Sequence, residues 1–203
     1  MLPRNLLTKS SIYSAAAAWF LLVIAGFAVL VKFSTTPGPN ITVPVTMPEC
    51  VPVALDHKHF NLLVFMHPHC PCSAATIGEL ARVAARCGDR LVISVFFYTD
   101  RAQVFGDEWA RSELWDAAAA IKNIYIQSDD RGAVAEMFSV QTSGHAILYN
   151  SRGELVFHGG ITSARGHSGD NRGVDAIYQS VFNNNEMLQI TPAFGCPILS
   201  KTE

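Results

Sequence analysis

The sequence predicts an α/β domain with a central mixed sheet and helices on both faces, behind one N-terminal transmembrane helix. Short apolar stretches alternate with amphipathic stretches along most of the chain. That alternation is typical of a largely parallel sheet covered by helices. One further stretch, 12–31, contains no Asp, Glu, Lys or Arg, and a stretch of that length and composition is typical of a membrane span.

Composition and charge exclude several classes of protein. Hydrophobic residues make up 49% of the 203 residues and charged residues 16%, which is unlike a disordered chain or a coiled coil. The formal net charge is −2, so the chain is not a generally basic nucleic-acid binder and we expect no nucleic-acid partner. The mean hydropathy of +0.21 is high for a soluble domain, and the stretch 12–31 is its visible source.

The apolar stretch also predicts a topology. At about 1.5 Å per residue, its length gives roughly 30 Å, the thickness of the hydrocarbon core of a bilayer. Two basic residues precede it, Arg4 and Lys9. We therefore predict a single-pass inner-membrane protein with a cytoplasmic tail and a periplasmic or otherwise extracytoplasmic domain. A cleaved signal peptide ending near Ala28 is the alternative, although the apolar stretch continues past it to Val31.

These features divide the chain into four parts. Residues 1–11 are the predicted cytoplasmic tail and 12–31 the transmembrane helix. Residues 32–55 are rich in Pro and Thr, which favours an extended tether. Residues 56–203 are the predicted folded domain.

The elements of that domain follow from periodicity and turn signals. Apolar stretches predict strands at 60–66, 91–98, 124–127, 146–150 and 154–158. Amphipathic stretches predict helices at 73–87, 108–121, 132–138 and 174–184. Gly88 stands where a C-terminal cap belongs, and Gly153 stands where a hairpin turn needs a left-handed residue.

The chemistry lies between the first strand and the first helix of the domain. Cys70 and Cys72 are separated only by Pro71 and stand where the helix begins. Helix N-terminal N–H groups and the helix dipole stabilise a thiolate there. Protonated His67 or His69 would lower the pKa of a thiol further. This arrangement indicates thiol chemistry or metal binding.

Residues 60–160 resemble membrane-anchored thiol–disulfide oxidoreductases with a thioredoxin-like fold. They are most similar to the RedB-like proteins through two runs, IYIQSDDRGAVAEMFSV from Ile124 and GHAILYNSRGELVF from Gly144. The likeness extends to GGITSARGHSGDN from Gly159 and to FGCP from Phe194. It implies a thioredoxin-like fold and exchange with the thiols and disulfides of exported proteins, with no cofactor.

The resemblance also implies roles for single residues. The family pair is Cys-x-x-Cys, whereas this chain has the shorter Cys70-Pro71-Cys72. Gly144 replaces the family's cis-proline, so His145 should face the cysteines. We predict a catalytic set of Cys70, Cys72, His69 and His145. Cys70 would attack, because the first cysteine is the more exposed at such helix starts, and Cys72 would resolve the mixed disulfide.

Two other functions compete with exchange. Thiolates beside imidazoles suit Cu(I) or Zn, so Cys70 and Cys72 with His67 and His69 could form a copper or zinc delivery site. A thioredoxin-fold scaffold without turnover is the third hypothesis.

The remaining candidates are left open by the sequence. Cys87 lies on the apolar face of its helix, which predicts a buried, inert thiol. Cys50 and Cys196 could pair with each other, or one of them could supply a third thiol to the site. The stretch 159–173, which contains His167, is either a surface loop or a flap over the site.

Overall fold

The computed structural model describes residues 9–100 and 111–198. The chain divides into two compact units, with the boundary between Thr36 and Pro37. Most of the predicted tail, and the beginning of the helix predicted at 108–121, lie outside the described residues.

The first unit contains helix α1, Lys9–Thr35. Its segment Ser11–Thr35 has a mean hydropathy of 2.4 and none of its most apolar window is buried. The predicted span 12–31 lies within this helix. By length and composition the helix could cross a membrane, and a signal sequence near an N-terminus has the same properties.

The second unit is built on a six-stranded sheet of order β3-β2-β1-β4-β5-β6. The strands are β1 Phe60–Met66, β2 Leu91–Thr99, β3 Ile124–Asp130, β4 His145–Tyr149, β5 Leu155–Gly160 and β6 Gln189–Ile190. Strands β1, β2 and β3 are parallel, and β4 is antiparallel to both β1 and β5. The predicted mixed sheet is confirmed. Strand β6, only two residues long, has no sequence signal of its own.

Helices cover both faces of this sheet, as predicted. They are α2 Ser73–Cys87, α3 Glu113–Ala119, α4 Ala133–Met137 and α5 Arg172–Asn183. Apolar residues of α2, α3 and α5 pack with Leu62 and Val64 of β1 on one face. Leu63 and Phe65 point to the other face and pack against α4. The side chains of β1 therefore alternate between two cores, one on each face of the sheet. Helix α2 packs in the core that contains Leu62 and Val64.

The predicted tether differs from the structure over residues 37–55. Val43 and Val51 are only 4% and 7% exposed and belong to the same core as α4. The Val45 carbonyl accepts the N–H of Leu155 at 2.9 Å, and the Tyr149 hydroxyl donates to the Pro44 carbonyl at 2.9 Å. The segment also turns at Pro48, whose carbonyl accepts the Val51 N–H at 3.4 Å. Its apolar residues therefore bury against the sheet instead of forming a free spacer.

The end of β3 also differs from the prediction. The sequence predicts a strand that ends at residue 127, whereas the strand continues to Asp130. The reason is local, because the buried Asp129 carboxylate accepts the N–H groups of Val134 and Ala135 at 2.7 and 3.0 Å. It caps α4 from within the strand.

Candidate thiol site

The two neighbouring cysteines lie where the sequence predicts. Strand β1 ends at Met66, and a turn follows in which the Cys70 N–H donates to the His67 carbonyl at 3.1 Å. Helix α2 begins at Ser73 with Cys72 as its N-cap residue. Cys70 and Cys72 therefore stand beyond the carboxyl end of β1 and at the amino end of α2.

The exposure of the two thiols is the reverse of the expected order. Cys70 is 1% exposed, whereas Cys72 is partly exposed. Cys70 is covered by the segment 191–198, here called the C-terminal segment, whose Cys196 N–H donates to Cys70 Sγ at 3.4 Å. The prediction that the first cysteine is the more accessible one is wrong for this reason.

Cys196 brings a third thiol to this position from 126 residues away. Cys50 lies elsewhere, with its Sγ 3.9 Å from Met137 Sδ. The sequence left open whether Cys50 and Cys196 pair with each other or whether one of them supplies a third thiol to the site. The structure has the second arrangement. Cys70, Cys72 and Cys196 form what we call the thiol cluster, and all three are free thiols.

Backbone contacts hold the C-terminal segment over Cys70. The Ser143 N–H donates to the Cys196 carbonyl at 2.8 Å, and Thr142 forms a β-bridge with Pro197. The guanidinium of Arg165 donates to the Gly195 carbonyl. A Cβ at position 195 would lie 1.9 Å from the Ser143 carbonyl oxygen. Only glycine permits this approach, and the approach positions Cys196.

A chain of hydroxyl groups reaches Cys70 from the opposite direction. The His67 N–H donates to Ser143 Oγ at 2.8 Å, and Ser143 Oγ lies 2.8 Å from Ser73 Oγ. Because Ser143 Oγ already accepts a hydrogen bond, its own proton can be given to Ser73. The Ser73 hydroxyl is then free to donate to Cys70, with which it hydrogen-bonds.

These contacts make Cys70 the most acidic thiol of the cluster. Burial alone would raise the pKa of Cys70, but hydrogen bonds from Ser73 and from Cys196 outweigh it and lower the pKa below 9.0. Burial and the negative charge of Cys70 raise the pKa of Cys72, and Arg165 partly opposes this rise. The cluster therefore favours one thiolate at Cys70.

Cys196 is the least acidic thiol of the cluster. Burial, followed by its hydrogen bond to Cys70 and the charge of Cys70, raises the pKa of Cys196 to about 12. In the reduced protein Cys196 therefore keeps its proton and donates it to the sulfur of Cys70.

The two histidines before the cysteines are arranged differently from the prediction. Both lie beyond the end of β1 at Met66, in the turn that precedes α2. The His67 ring stacks on Tyr98 with centroids 5.8 Å apart. Burial and the charge of His69 lower the pKa of His67. His67 is therefore mostly neutral at neutral pH and lacks the positive charge that was expected to stabilise a thiolate.

The metal hypothesis finds no support in the geometry of residues 11–100 and 111–198. Within these ranges, no group of three or more His, Cys, Asp or Glu side chains is placed to hold a metal ion. The copper or zinc set of Cys70, Cys72, His67 and His69 stays a prediction. The same is true of His69 as a catalytic residue.

His145 is buried in a different environment from the one predicted. Its ring stacks on the ring of His158, with centroids 5.7 Å apart. In β4, Ala146 and Leu148 face the core that contains α2, and Ile147 and Tyr149 face the other core. Alternation places the His145 side chain with the second set, on the face opposite α2. A catalytic contribution of His145 therefore stays a prediction of the sequence.

Burial of His145 makes the stability of the domain depend on pH. Burial, and then the charge of His158, lower its pKa from 6.5 to about 3. Below pH 6.5 the unfolded chain binds a proton that the folded chain refuses, so the free energy of unfolding falls as the pH falls from 6.5 towards 3. The slope is about 1.4 kcal/mol per pH unit for one proton.

We expect His145→Phe to reduce this slope in denaturant titrations. The exposed control His167→Gln should keep it, and an unchanged slope in His145→Phe would contradict this assignment.

The stretch predicted as a loop or a flap is a packed loop of residues 161–171, here called the covering loop. The buried carboxylate of Glu79 in α2 accepts the Gly169 N–H at 2.7 Å and an Arg82 N–H at 2.6 Å. This anchor holds the loop against α2 and so supports the position of Arg165 beside Cys72. His167 is exposed on the outside of the loop.

A cavity of about 870 Å³ adjoins the site. Its lining includes Arg165, Gly195, Pro197 and Thr142. Because these residues position Cys196, the cavity offers space for a bound segment directly beside the C-terminal segment.

Sequence reasoning missed most of the residues that complete the site. Ser143 and Glu79 carry no local signal of a role, and Arg165 has only its place in the GGITSARGHSGDN run. Gly195 and Cys196 did carry one, since they stand in the FGCP run on which the resemblance partly rests.

Comparison with known proteins agrees with this description of the fold. No protein-family model and no curated protein matches the chain. A hypothetical protein from Sinorhizobium meliloti is similar in structure, with a TM-score of 0.59, 18% identity and coverage of 84% of this chain and 100% of that chain. An uncharacterized conserved protein from Geobacillus kaustophilus has a TM-score of 0.58 and 14% identity over 84% of this chain and 93% of that chain.

A secreted disulfide oxidoreductase from Mycobacterium tuberculosis is also similar. Its TM-score is 0.44, with 19% identity over 63% of this chain and 82% of that chain. The mixed sheet, the helices on both faces and the order of the strands define a thioredoxin-like fold for the second unit.

Proposed function

We propose that this protein performs thiol–disulfide exchange with exported proteins through Cys70-Pro71-Cys72. One observation carries the proposal. The Cys70 sulfur, at the amino end of α2, has a lowered pKa and hydrogen-bonds with two other thiols, Cys72 and Cys196. A stabilised thiolate in contact with further thiols is the chemical requirement for exchange.

Exposure and acidity assign different roles to the two neighbouring thiols. Cys72 is partly exposed and can meet a sulfur of another protein, whereas Cys70 is buried. A substrate thiolate attacks Cys72 Sγ of the Cys70–Cys72 disulfide. The bond between the two cysteines breaks, a mixed disulfide forms at Cys72, and Cys70 leaves as a thiolate. A leaving thiol of low pKa leaves faster, so the environment of Cys70 favours this step.

The reverse direction uses the same groups. Cys70 as thiolate attacks Cys72 Sγ in the mixed disulfide, forms the Cys70–Cys72 bond and releases the substrate as a thiolate. Two electrons pass from the pair to the substrate disulfide. The roles of first and second cysteine are thus exchanged relative to those predicted from the sequence.

The location belongs to the same proposal. Helix α1 has the length and hydropathy of a membrane span, and Arg4 and Lys9 stand before its apolar stretch 12–31. The positive-inside rule then gives an inner-membrane protein with a cytoplasmic N-terminus and a periplasmic domain. Substrates would be exported proteins, in a compartment that permits disulfides. The resemblance of residues 60–160 to RedB-like proteins supports this assignment.

Trapping of the mixed disulfide tests the proposed roles. The reduced full-length Cys70→Ser variant is incubated with a protein that contains an accessible disulfide, quenched with acid and analysed by non-reducing electrophoresis. We expect a mixed disulfide to accumulate at Cys72, because the thiolate that releases it is absent. The matched variant Cys72→Ser should not accumulate one. Accumulation in Cys72→Ser alone would show that Cys70 is the contact thiol, and accumulation in neither variant would contradict exchange.

A further inference from the structure

We propose that Cys196 is a third exchanging thiol, which takes over the disulfide bond from Cys72 to form a Cys70–Cys196 disulfide. This inference rests on the proposed function, which supplies the Cys70–Cys72 disulfide. Cys196 Sγ attacks Cys70 Sγ, the Cys70–Cys72 bond breaks and the Cys70–Cys196 bond forms. Cys72 leaves as a thiolate and takes up the proton that Cys196 gives up. No electrons are gained or lost, so the step needs no further oxidant.

The contacts of Cys70 place both partners at the same sulfur. The Cys196 N–H lies 3.4 Å from Cys70 Sγ, and the side chains of Cys70 and Cys196 hydrogen-bond with each other. The side chain of Cys72 also hydrogen-bonds with Cys70. Cys70 is thus the central sulfur of the thiol cluster, and exchange between its two neighbours requires little movement.

The C-terminal segment is fixed in the position that this step needs. Ser143 and Arg165 bind the backbone on either side of the Cys196 sulfur. The missing Cβ of Gly195 allows the segment to contact the Ser143 carbonyl. Three separate contacts thus hold Cys196 over Cys70. A cysteine that served only as a small buried apolar side chain would not require them.

Electrostatics favour Cys196 once Cys70 is oxidised. In the reduced cluster, the hydrogen bond to Cys70 and the charge of Cys70 are two of the causes that raise the pKa of Cys196. Both causes disappear when Cys70 is part of a disulfide, because its sulfur is then uncharged. Arg165 acts in the opposite direction and stabilises the Cys196 thiolate. Burial, the largest cause, remains, so the oxidation of Cys70 lowers the pKa of Cys196 without removing the whole rise.

Covalent geometry favours the second disulfide over the first. A Cys70–Cys72 bond closes a small ring through Pro71, whose φ is fixed near −65°, and such a ring restricts the geometry that a disulfide requires. A Cys70–Cys196 bond joins two separate segments and has no such ring. It would also tie the C-terminal segment to α2 and leave Cys72 free to meet another substrate.

The other two cysteines do not compete for Cys70. Cys87 is the last residue of α2 and is buried in the core, and burial raises its pKa to about 11. Cys50 lies against Met137. This leaves Cys50→Ser as a matched control that removes one thiol without touching the site.

Disulfide mapping tests the inference on the full-length protein in detergent. The reduced protein is oxidised with oxidised glutathione, its remaining thiols are alkylated at low pH, and it is cleaved with trypsin without reduction. Cys70 and Cys72 fall in peptide 59–82 and Cys196 in peptide 173–201. We expect these two peptides to be linked in the wild type, in Cys72→Ser and in Cys50→Ser. The link should be absent from Cys196→Ser, which should contain only the Cys70–Cys72 disulfide.

Three outcomes separate this inference from the proposed function. A Cys70–Cys72 disulfide in the wild type without any link to 173–201, also in Cys72→Ser, would overturn the role of Cys196 and leave the exchange function standing. No disulfide at Cys70 in any variant would overturn both. Gly195→Ala provides a second test, because the added Cβ displaces Cys196. We expect it to reduce the yield of the link severalfold relative to Cys50→Ser while the Cys70–Cys72 disulfide still forms, and an undiminished link would contradict the positioning role of Gly195.

Discussion

Replacement of Cys70 with Ser is expected to reduce thiol–disulfide exchange to the rate measured without the protein. Cys70 is the central sulfur of the thiol cluster and the group whose pKa is lowered by hydrogen bonds. A hydroxyl cannot form a disulfide, so neither of its two neighbours could complete a cycle. The measurement is the initial rate at which the reduced full-length protein reduces an accessible protein disulfide in the presence of a thiol reductant.

Two control variants test whether this loss is specific to Cys70. Cys50→Ser should keep the wild-type rate, because Cys50 lies outside the cluster. Cys72→Ser should be slowed strongly, because the accessible contact thiol is removed. Substantial activity of Cys70→Ser would show that Cys72 acts with another partner, and the proposed chemistry would then be wrong.

Replacement of Glu79 with Ala is expected to have the largest effect on stability among residues near the site. The Glu79 side chain is 2% exposed, and its carboxylate binds both the Gly169 N–H of the covering loop and Arg82. Removal of the carboxylate leaves the Gly169 N–H without its acceptor in a partly buried position. We expect a loss of about 2–3 kcal/mol in the free energy of unfolding, measured by denaturant titration.

Two matched variants distinguish the anchor from a simple ion pair. Glu79→Gln keeps an oxygen acceptor for the Gly169 N–H and should cost clearly less than Glu79→Ala. Arg82→Ala removes the ion pair from its exposed side, since the Arg82 side chain is 52% exposed, and should cost at most about 1 kcal/mol. An Arg82→Ala effect as large as that of Glu79→Ala would mean that the ion pair, rather than the loop anchor, supplies the stability.

The order of strands and helices could be predicted because it depends on local patterns. The uninterrupted apolar stretch of β1 and the amphipathic stretch of α2 are local signals, and both elements have the predicted bounds. The mixed sheet follows from the same signals together with the hairpin that contains Gly153. The thioredoxin-like fold could therefore be predicted from the sequence.

The buried segment 37–55 shows the limit of composition. Its prolines predict an extended tether, but a segment without regular helix can either project into solvent or lie on a sheet. Val43 and Val51 decide between the two by burial against the core that contains α4. Whether these two side chains are buried depends on the shape of the surface on which they pack, and that shape is not encoded in the local sequence.

The site was predictable only where it is local. The position of Cys70 and Cys72 at the amino end of α2 follows from residues that are adjacent in the chain. The position of Cys196 depends on the path of the chain through β5, the covering loop and β6. Cys196 contacts Cys70, from which it is 126 positions away in the sequence. No periodicity encodes such a contact.

The reversed exposure of the two cysteines has the same origin. A helix start considered alone exposes its first cysteine, and that expectation was reasonable for an uncovered site. Here the C-terminal segment lies on Cys70 and leaves Cys72 more accessible. Burial by a distant segment therefore changed the role of each thiol without changing its position on α2.

The acidity of the Cys70 thiol is the most direct test for a stabilised thiolate at the amino end of α2. The ultraviolet absorbance of the thiolate is recorded as a function of pH for the reduced full-length protein and for Cys70→Ser. The thiolate transition at lowest pH in the wild type, which Cys70→Ser should lack, reports the ionisation of Cys70 without any need for a reagent to reach it. We expect a midpoint below 9.0, the ordinary value for a thiol, with Cys72 and Cys196 ionising above it. A midpoint for Cys70 at or above 9.0 would show that burial outweighs the hydrogen bonds from Ser73 and Cys196, and would contradict a stabilised thiolate at this site.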